Sequence, residues 1–128
     1  MSINPFNKMK KRNWTLLNAA SLQKKYPSKY IRPKARELMG MLVTGNMAQL
    51  ILKVTRTTPR KSIGIEFIWV EVLGFKSGVY YGSLINQSGI VKELEKGRKL
   101  MFIPEQVLLC KEHKEEEIMI PLQVKKGA

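Results

Sequence analysis

The spacing of apolar positions changes character along the chain, from a helical period near the N-terminus to strict alternation beyond residue 46. Over 14–25, Trp14, Leu17 and Ala20 or Ser21 recur on one helical face. Asn13 is placed to cap that helix and Pro27 to end it, because the residue before a proline avoids helical backbone. A second short helix is predicted over 33–39, with Pro33 in its first turn and Gly40 just past its end.

From residue 47 the period is two. In 47–56, Ala48, Leu50, Leu52 and Val54 share one face, and Gln49, Lys53 and Thr55 lie largely on the other. Residues 65–73 (IEFIWVEVL) are β-branched, aromatic and apolar on both faces, the signature of a central strand. A glycine-bounded connection over 74–78 leads to a strand over 79–86, where Gly82 predicts a bulge or a sharp barrel corner. Residues 99–103 form a further strand, Pro104–Val107 one helical turn, and 117–124 a strand that Pro121 confines to an edge. These elements predict an α+β fold: a small twisted antiparallel sheet or SH3-like β-barrel preceded by two short N-terminal helices. The domain division is a basic tail over 1–13 and one α+β domain over 14–128.

Composition narrows the chemistry. The chain has 128 residues, 23 Lys and Arg, 10 acids, one His and one Cys. Every acid is Glu, which excludes aspartic dyads, and zinc sites built from repeated Cys and His are excluded too. One Cys makes no intramolecular disulfide, so nothing indicates an oxidising compartment. No apolar run approaches the roughly 20 residues a membrane helix needs. Lys8–Arg12 followed by Trp14–Ala20 has the outline of a signal peptide, but Asn18, Ser21 and Gln23 break the apolar stretch. A soluble cytoplasmic protein that does not bind membranes is the expectation.

One set of positions resembles a known pattern. It runs Arg36-x-Leu38, Gly45-Asn46-x-Ala48-x-Leu50, Glu66-Phe67-Ile68-Trp69-Val70-Glu71-Val72 and Gly78-x-x-Tyr81-Gly82-x-Leu84-x-Asn86. Leu94-x-x-Gly97, Phe102 and Val107 complete it. Over 36–109 the chain resembles the YegJ-like bacterial family, a domain of unknown function with a W-V-x-V strand, a G-x-L-x-N strand and a late glycine. The family's usual proline after the Asn is Gln87 here, its Gly-Asp is Gly97-Arg98, and its terminal Asp-Trp is missing. The resemblance implies a non-secreted protein with no assigned activity, and a kinship with bacterial immunity proteins. It carries over no catalytic residue.

Candidate catalytic groups are few. Glu66 and Glu71, five positions apart on a strand, face opposite sides and do not converge as an acid/base pair. His113 lies in the charged run Lys111–Glu117 and reads as solvated; Cys110 follows Leu108-Leu109 and reads as a small buried hydrophobe. Gly-Lys-Ser/Thr does not occur, so no phosphate loop is present. No enzyme activity, cofactor or metal is expected.

Charge is the unusual feature. The formal net charge is +13, and residues 1–40 carry ten basic residues against Glu37 alone. Lys10, Lys11, Arg12, Lys24 and Lys25 interleave with Trp14, Tyr26 and Tyr30, while Arg56, Arg60 and Lys61 sit on the connection between two strands. Basic side chains neutralise phosphates and release counterions, and aromatic rings stack on bases. These eight residues are the expected contacts of a non-enzymatic module that binds DNA or RNA through phosphates. The alternative is an inhibitor or immunity factor, of a kind carried by mobile elements, that docks its basic face on an acidic or nucleic-acid-binding protein.

Overall fold

A computed structural model describes residues 13–56 and 60–112. Its elements are β1 (Trp14–Leu16), α1 (Ala19–Lys25), α2 (Ala35–Met41), β2 (Met47–Arg56), β3 (Ser62–Lys76), β4 (Val79–Leu84), β5 (Lys99–Phe102), a 3₁₀ turn (Pro104–Gln106) and β6 (Val107–Lys111). The expected strand over 117–124 lies outside the described residues.

All strand pairs are antiparallel, in the order β1-β2-β3-β4-β5, with β6 returning to β2. β3 occupies one edge of β2 throughout, from Met47↔Glu71 to Arg56↔Ser62. The other edge is shared: β1 pairs with Leu52–Val54 and β6 with Met47–Leu50. The meander β2 to β5 therefore turns at the 3₁₀ corner and comes back to its own first strand, which curls the sheet into a half-barrel. Arg32 ties the corner to the helical segment. Its Nε donates to the Val107 carbonyl at 2.8 Å and its Nη2 to the Pro104 carbonyl at 2.9 Å. Burial lowers the Arg32 pKa, partly offset by Glu105.

Alternation divides the core. The inner face of β2 and β3 (Ala48, Leu50, Leu52, Val54, Ile68, Val70, Val72) packs with Leu38 and Leu42 of the α2 segment, Leu84, Leu94, Phe102 and Val107. Ile51, between two inward residues, is equally buried on the opposite face, beneath Ala19 and Leu108, with Leu17, Leu22 and Tyr30 around them. A bulge makes this second cluster possible. The register jumps between Gln49 and Leu50, leaving Leu108 as an extra residue that packs with Ile51 beneath α1.

Several sequence expectations are corrected. Residues 14–16 are a strand, not the first turn of a helix: Trp14 and Leu16 pair with Val54 and Leu52, and the Asn13 carbonyl accepts from Thr55 N–H at 2.8 Å. The helix begins only at Ala19, where the Asn18 side chain accepts from Ser21 N–H. A ladder along the exposed edge of β2 outweighs a helical spacing that three apolar residues satisfy by coincidence. α2 starts two residues later than expected, with Glu37 accepting from Lys34 N–H, and Gly40 lies inside it. The connection after β3 is a tight turn of Ser77 and Gly78 rather than a five-residue loop, with φ of 54° and 82° as a type I′ hairpin requires. β4 ends at Leu84, not residue 86. The bulge expected at Gly82 is on β3 instead, where Leu73 is extra opposite Gly82 and Tyr81. Gly82 answers a packing need: a Cβ there would stand 2.8 Å from Val70 Cγ2 and 3.1 Å from the Phe102 ring.

Candidate nucleic-acid interface

The largest departure from expectation concerns β3. Its residues are apolar on both faces, yet only Ile68, Val70 and Val72 are buried. Ile63, Ile65 and Phe67, on the outer face, are 58%, 45% and 49% exposed. With half-buried Trp69 they form a stripe about 20 Å long at strand spacing. Patches of this kind on a folded protein mark interaction surfaces.

The register shows what borders the stripe. On its β2 side the outward residues are Thr55 opposite Ile63, Lys53 opposite Ile65, Ile51 opposite Phe67, and Gln49 opposite Trp69. Ile51 is roofed by the α1 cluster, so the helix sits on this same outer face beside Phe67. Lys53 stands diagonally across from Phe67, within reach of its ring at cross-strand spacing. At the far end, Lys111 of β6 extends its Nζ to 4.6 Å from the centre of the Trp69 ring, a cation–π contact. Arg60 and Lys61 are exposed immediately before the near end.

The residues expected from sequence fall into separate groups. Lys10, Lys11 and Arg12 lie outside the described residues. Arg60 and Lys61 adjoin the stripe, but Arg56 belongs to the inward-facing register of β2. Its guanidinium reaches the Ile90 carbonyl at 3.4 Å beside a hollow of about 300 Å³ lined by Val54, Ser62, Ile63 and Gly64. Lys24 and Lys25 are exposed on α1, where Lys24 lines a different hollow, of about 580 Å³, with Arg32 and Glu105. Just beyond α1, cations and rings alternate: Lys25 Nζ is 5.6 Å from the Tyr26 ring centre, Lys29 Nζ is 5.8 Å from that of Tyr30, and the two rings are 6.3 Å apart.

Sequence reasoning missed Lys53, Phe67, Trp69 and Lys111. A signal was present, because the strand that pairs with β3 turns Gln49, Lys53 and Thr55 outward. Beside those residues, Ile65 and Phe67 on the outer face of β3 stay about half exposed.

The remaining candidates for chemistry are held by structural contacts. Glu66 faces inward opposite Leu52, and Glu71 outward opposite Met47, so the two carboxylates lie on opposite faces of the sheet. Both Glu66 oxygens accept hydrogen bonds, from Ser88 Oγ and Gly89 N–H. Cys110 is half-buried, its Sγ donating to the Met41 carbonyl at 3.2 Å, and burial pushes the thiol pKa up to about 11. A thiol held neutral in this way is a poor nucleophile. His113 lies outside the described residues. Among the described residues no cluster of three or more His, Cys or acidic side chains could hold a metal ion, and no helix is long and apolar enough to cross a membrane.

No family model, no curated protein and no solved structure gives a significant match to the chain.

Proposed function

We propose that this protein is a small basic module that binds nucleic acid mainly through phosphate contacts, and that its strand path is that of an SH3-like barrel. The path β2-β3-β4-β5, a 3₁₀ corner and a final strand returning to β2 supports the second statement. The observation that carries the first is the open stripe of β3 bordered by Lys53, Arg60, Lys61 and Lys111. Its apolar surface is left in water on a chain whose formal net charge is +13, so the partner it fits is both anionic and able to cover apolar side chains.

Nucleic acid meets both conditions. Charge reversal of Lys53, Arg60 and Lys61 to Glu tests this reading by the salt dependence of binding. Each lost phosphate contact reduces the log–log slope by about 0.7–0.9. An unchanged slope places the phosphate contacts elsewhere.

A second reading has its own support. Ile63 and Ile65 offer aliphatic contact area of the kind found at protein–protein interfaces, which suits an inhibitor or immunity factor docking on an acidic protein. The sequence resemblance to the YegJ-like family leans the same way. A partner that co-purifies at stoichiometric yield and is released by Phe67→Glu favours this reading over the first.

A further inference from the structure

We propose that the β3 stripe selects single-stranded over duplex nucleic acid by stacking a base on Phe67, with the backbone running between Lys53 and Lys111. This rests on the nucleic-acid reading above and deepens it.

Duplex and single strand present different surfaces to the stripe. A duplex shows phosphates outward and keeps base faces stacked inside, so it offers nothing to cover an apolar strip and would strand Ile63, Ile65 and Phe67 against anions. An unpaired strand offers both surfaces at once, with flat apolar base faces on one side and phosphates on the other. The outer face has that same two-sided character. Ile63, Ile65 and Phe67 line one strand; β2 contributes Lys53 two positions to one side of the Ile51–Phe67 row, and β6, on the far edge of β2, contributes Lys111 at the Met47 row, four positions to the other side.

The two aromatic residues of the stripe have different parts. Phe67 is half exposed and no ring or cation contact engages it among the described residues, so its face is open to a base. The Trp69 ring is already covered by the Lys111 ammonium at 4.6 Å. A phosphate arriving at that end competes with the ring for Lys111. Trp69 is therefore a reporter of occupancy rather than the main stacking platform. The other tryptophan, Trp14, is buried in the inner core and contributes a constant background.

The test follows tryptophan emission of the full chain while oligothymidine of about 12 nucleotides, or a hairpin duplex of equal phosphate count, is added. The inference predicts a change in emission with the single strand, reduced in Trp69→Phe, and at least tenfold weaker binding of the duplex. Phe67→Leu keeps the apolar volume and lowers single-strand affinity at least tenfold, whereas Phe67→Tyr keeps the ring and binds as the native chain does. Equal affinity of Phe67→Leu and native chain for the single strand overturns the stacking inference, as does equal binding of duplex. If the salt slope still falls on charge reversal in that case, the phosphate-binding function stands without it. Absence of binding to any nucleic acid overturns both.

Discussion

Glu66 on β3 holds the turn after β4 by accepting two hydrogen bonds, from Ser88 Oγ at 2.6 Å and from Gly89 N–H at 2.8 Å. Ser88 Oγ in turn accepts from Ile90 and Val91 N–H, and Ser88 is the one buried polar residue among those described. Gln87, one position earlier, donates its amide to the carbonyls of Val91, Lys92 and Leu94 at 3.1–3.5 Å. A fourteen-residue connection without helix or strand, 85 to 98, is thereby fastened to the sheet, and Val91 and Leu94 are delivered to the inner core. The carboxylate most open to a catalytic interpretation is a brace.

Glu66→Gln leaves one acceptor where two are needed and turns an amide toward a donor. The loss expected is about 1–3 kcal/mol, the range for a charge-assisted hydrogen bond left unmade. Urea unfolding measures it. Nucleic-acid affinity of the folded variant is expected to be unchanged, because Glu66 faces away from the stripe.

Gly82→Ala drives a methyl to 2.8 Å from Val70 Cγ2 and 3.1 Å from the Phe102 ring. Overpacking of this kind costs about 1–3 kcal/mol. Val70→Ala is destabilising by itself through the cavity it leaves. The double variant is expected to be more stable than the sum of the two losses, by about 0.5 kcal/mol or more. Strict additivity in chemical denaturation would show that Gly82 is not there to make room for Val70.

Ser77 adopts φ of 54° in a turn whose two central positions both require positive φ. Asn tolerates that region better than Ser. Ser77→Asn is therefore expected to stabilise the hairpin by about 0.5–1 kcal/mol, seen as a higher Tm. A lower Tm would mean that the Ser77 hydroxyl makes a contact worth more than the strain.

The Cys110 pKa is pushed up to about 11 by burial, from an ordinary value near 9. A raised folded-state pKa means that the neutral thiol's contribution is whole below about pH 9 and lost as pH rises toward 11. Partial exposure of the thiol reduces this to the order of 1 kcal/mol. Cys110→Ala is expected to flatten stability between those pH values, and iodoacetamide is expected to label the native thiol slowly at pH 8. Rapid native-state labelling at that pH would contradict the burial that sets the shift.

Much of the fold is legible in the sequence because alternation is a strong signal when it persists. Met47–Arg56 is bounded in the structure as its pattern indicates, and the strand over Lys99–Phe102 and the turn at Pro104 follow. What was hidden lies at short or shared edges. Trp14–Leu16 is too short for a period of two to be told from a helical turn. Val107–Lys111 reads as the tail of a turn because its bulge puts Leu108 and Leu109 out of alternation. The candidate site was hidden for a related reason. Apolar residues on both faces of 65–73 imply burial on both, and only the register against Gln49, Lys53 and Thr55 sets Ile65 and Phe67 beside polar neighbours, where they are about half exposed. Lys111 and Trp69 are brought together by β6 returning to β2, a closure no local pattern encodes.

The most direct test of the account is fluorescence anisotropy of labelled single-stranded DNA, duplex DNA and RNA with the native chain at about 50 and 200 mM salt. Four to six phosphate contacts give a log–log slope of roughly 3 to 5, with the single-stranded forms bound more tightly at both concentrations. No binding at the lower salt, or equal and shallow binding of every form, would contradict the account and turn attention to an acidic protein as the partner of this face.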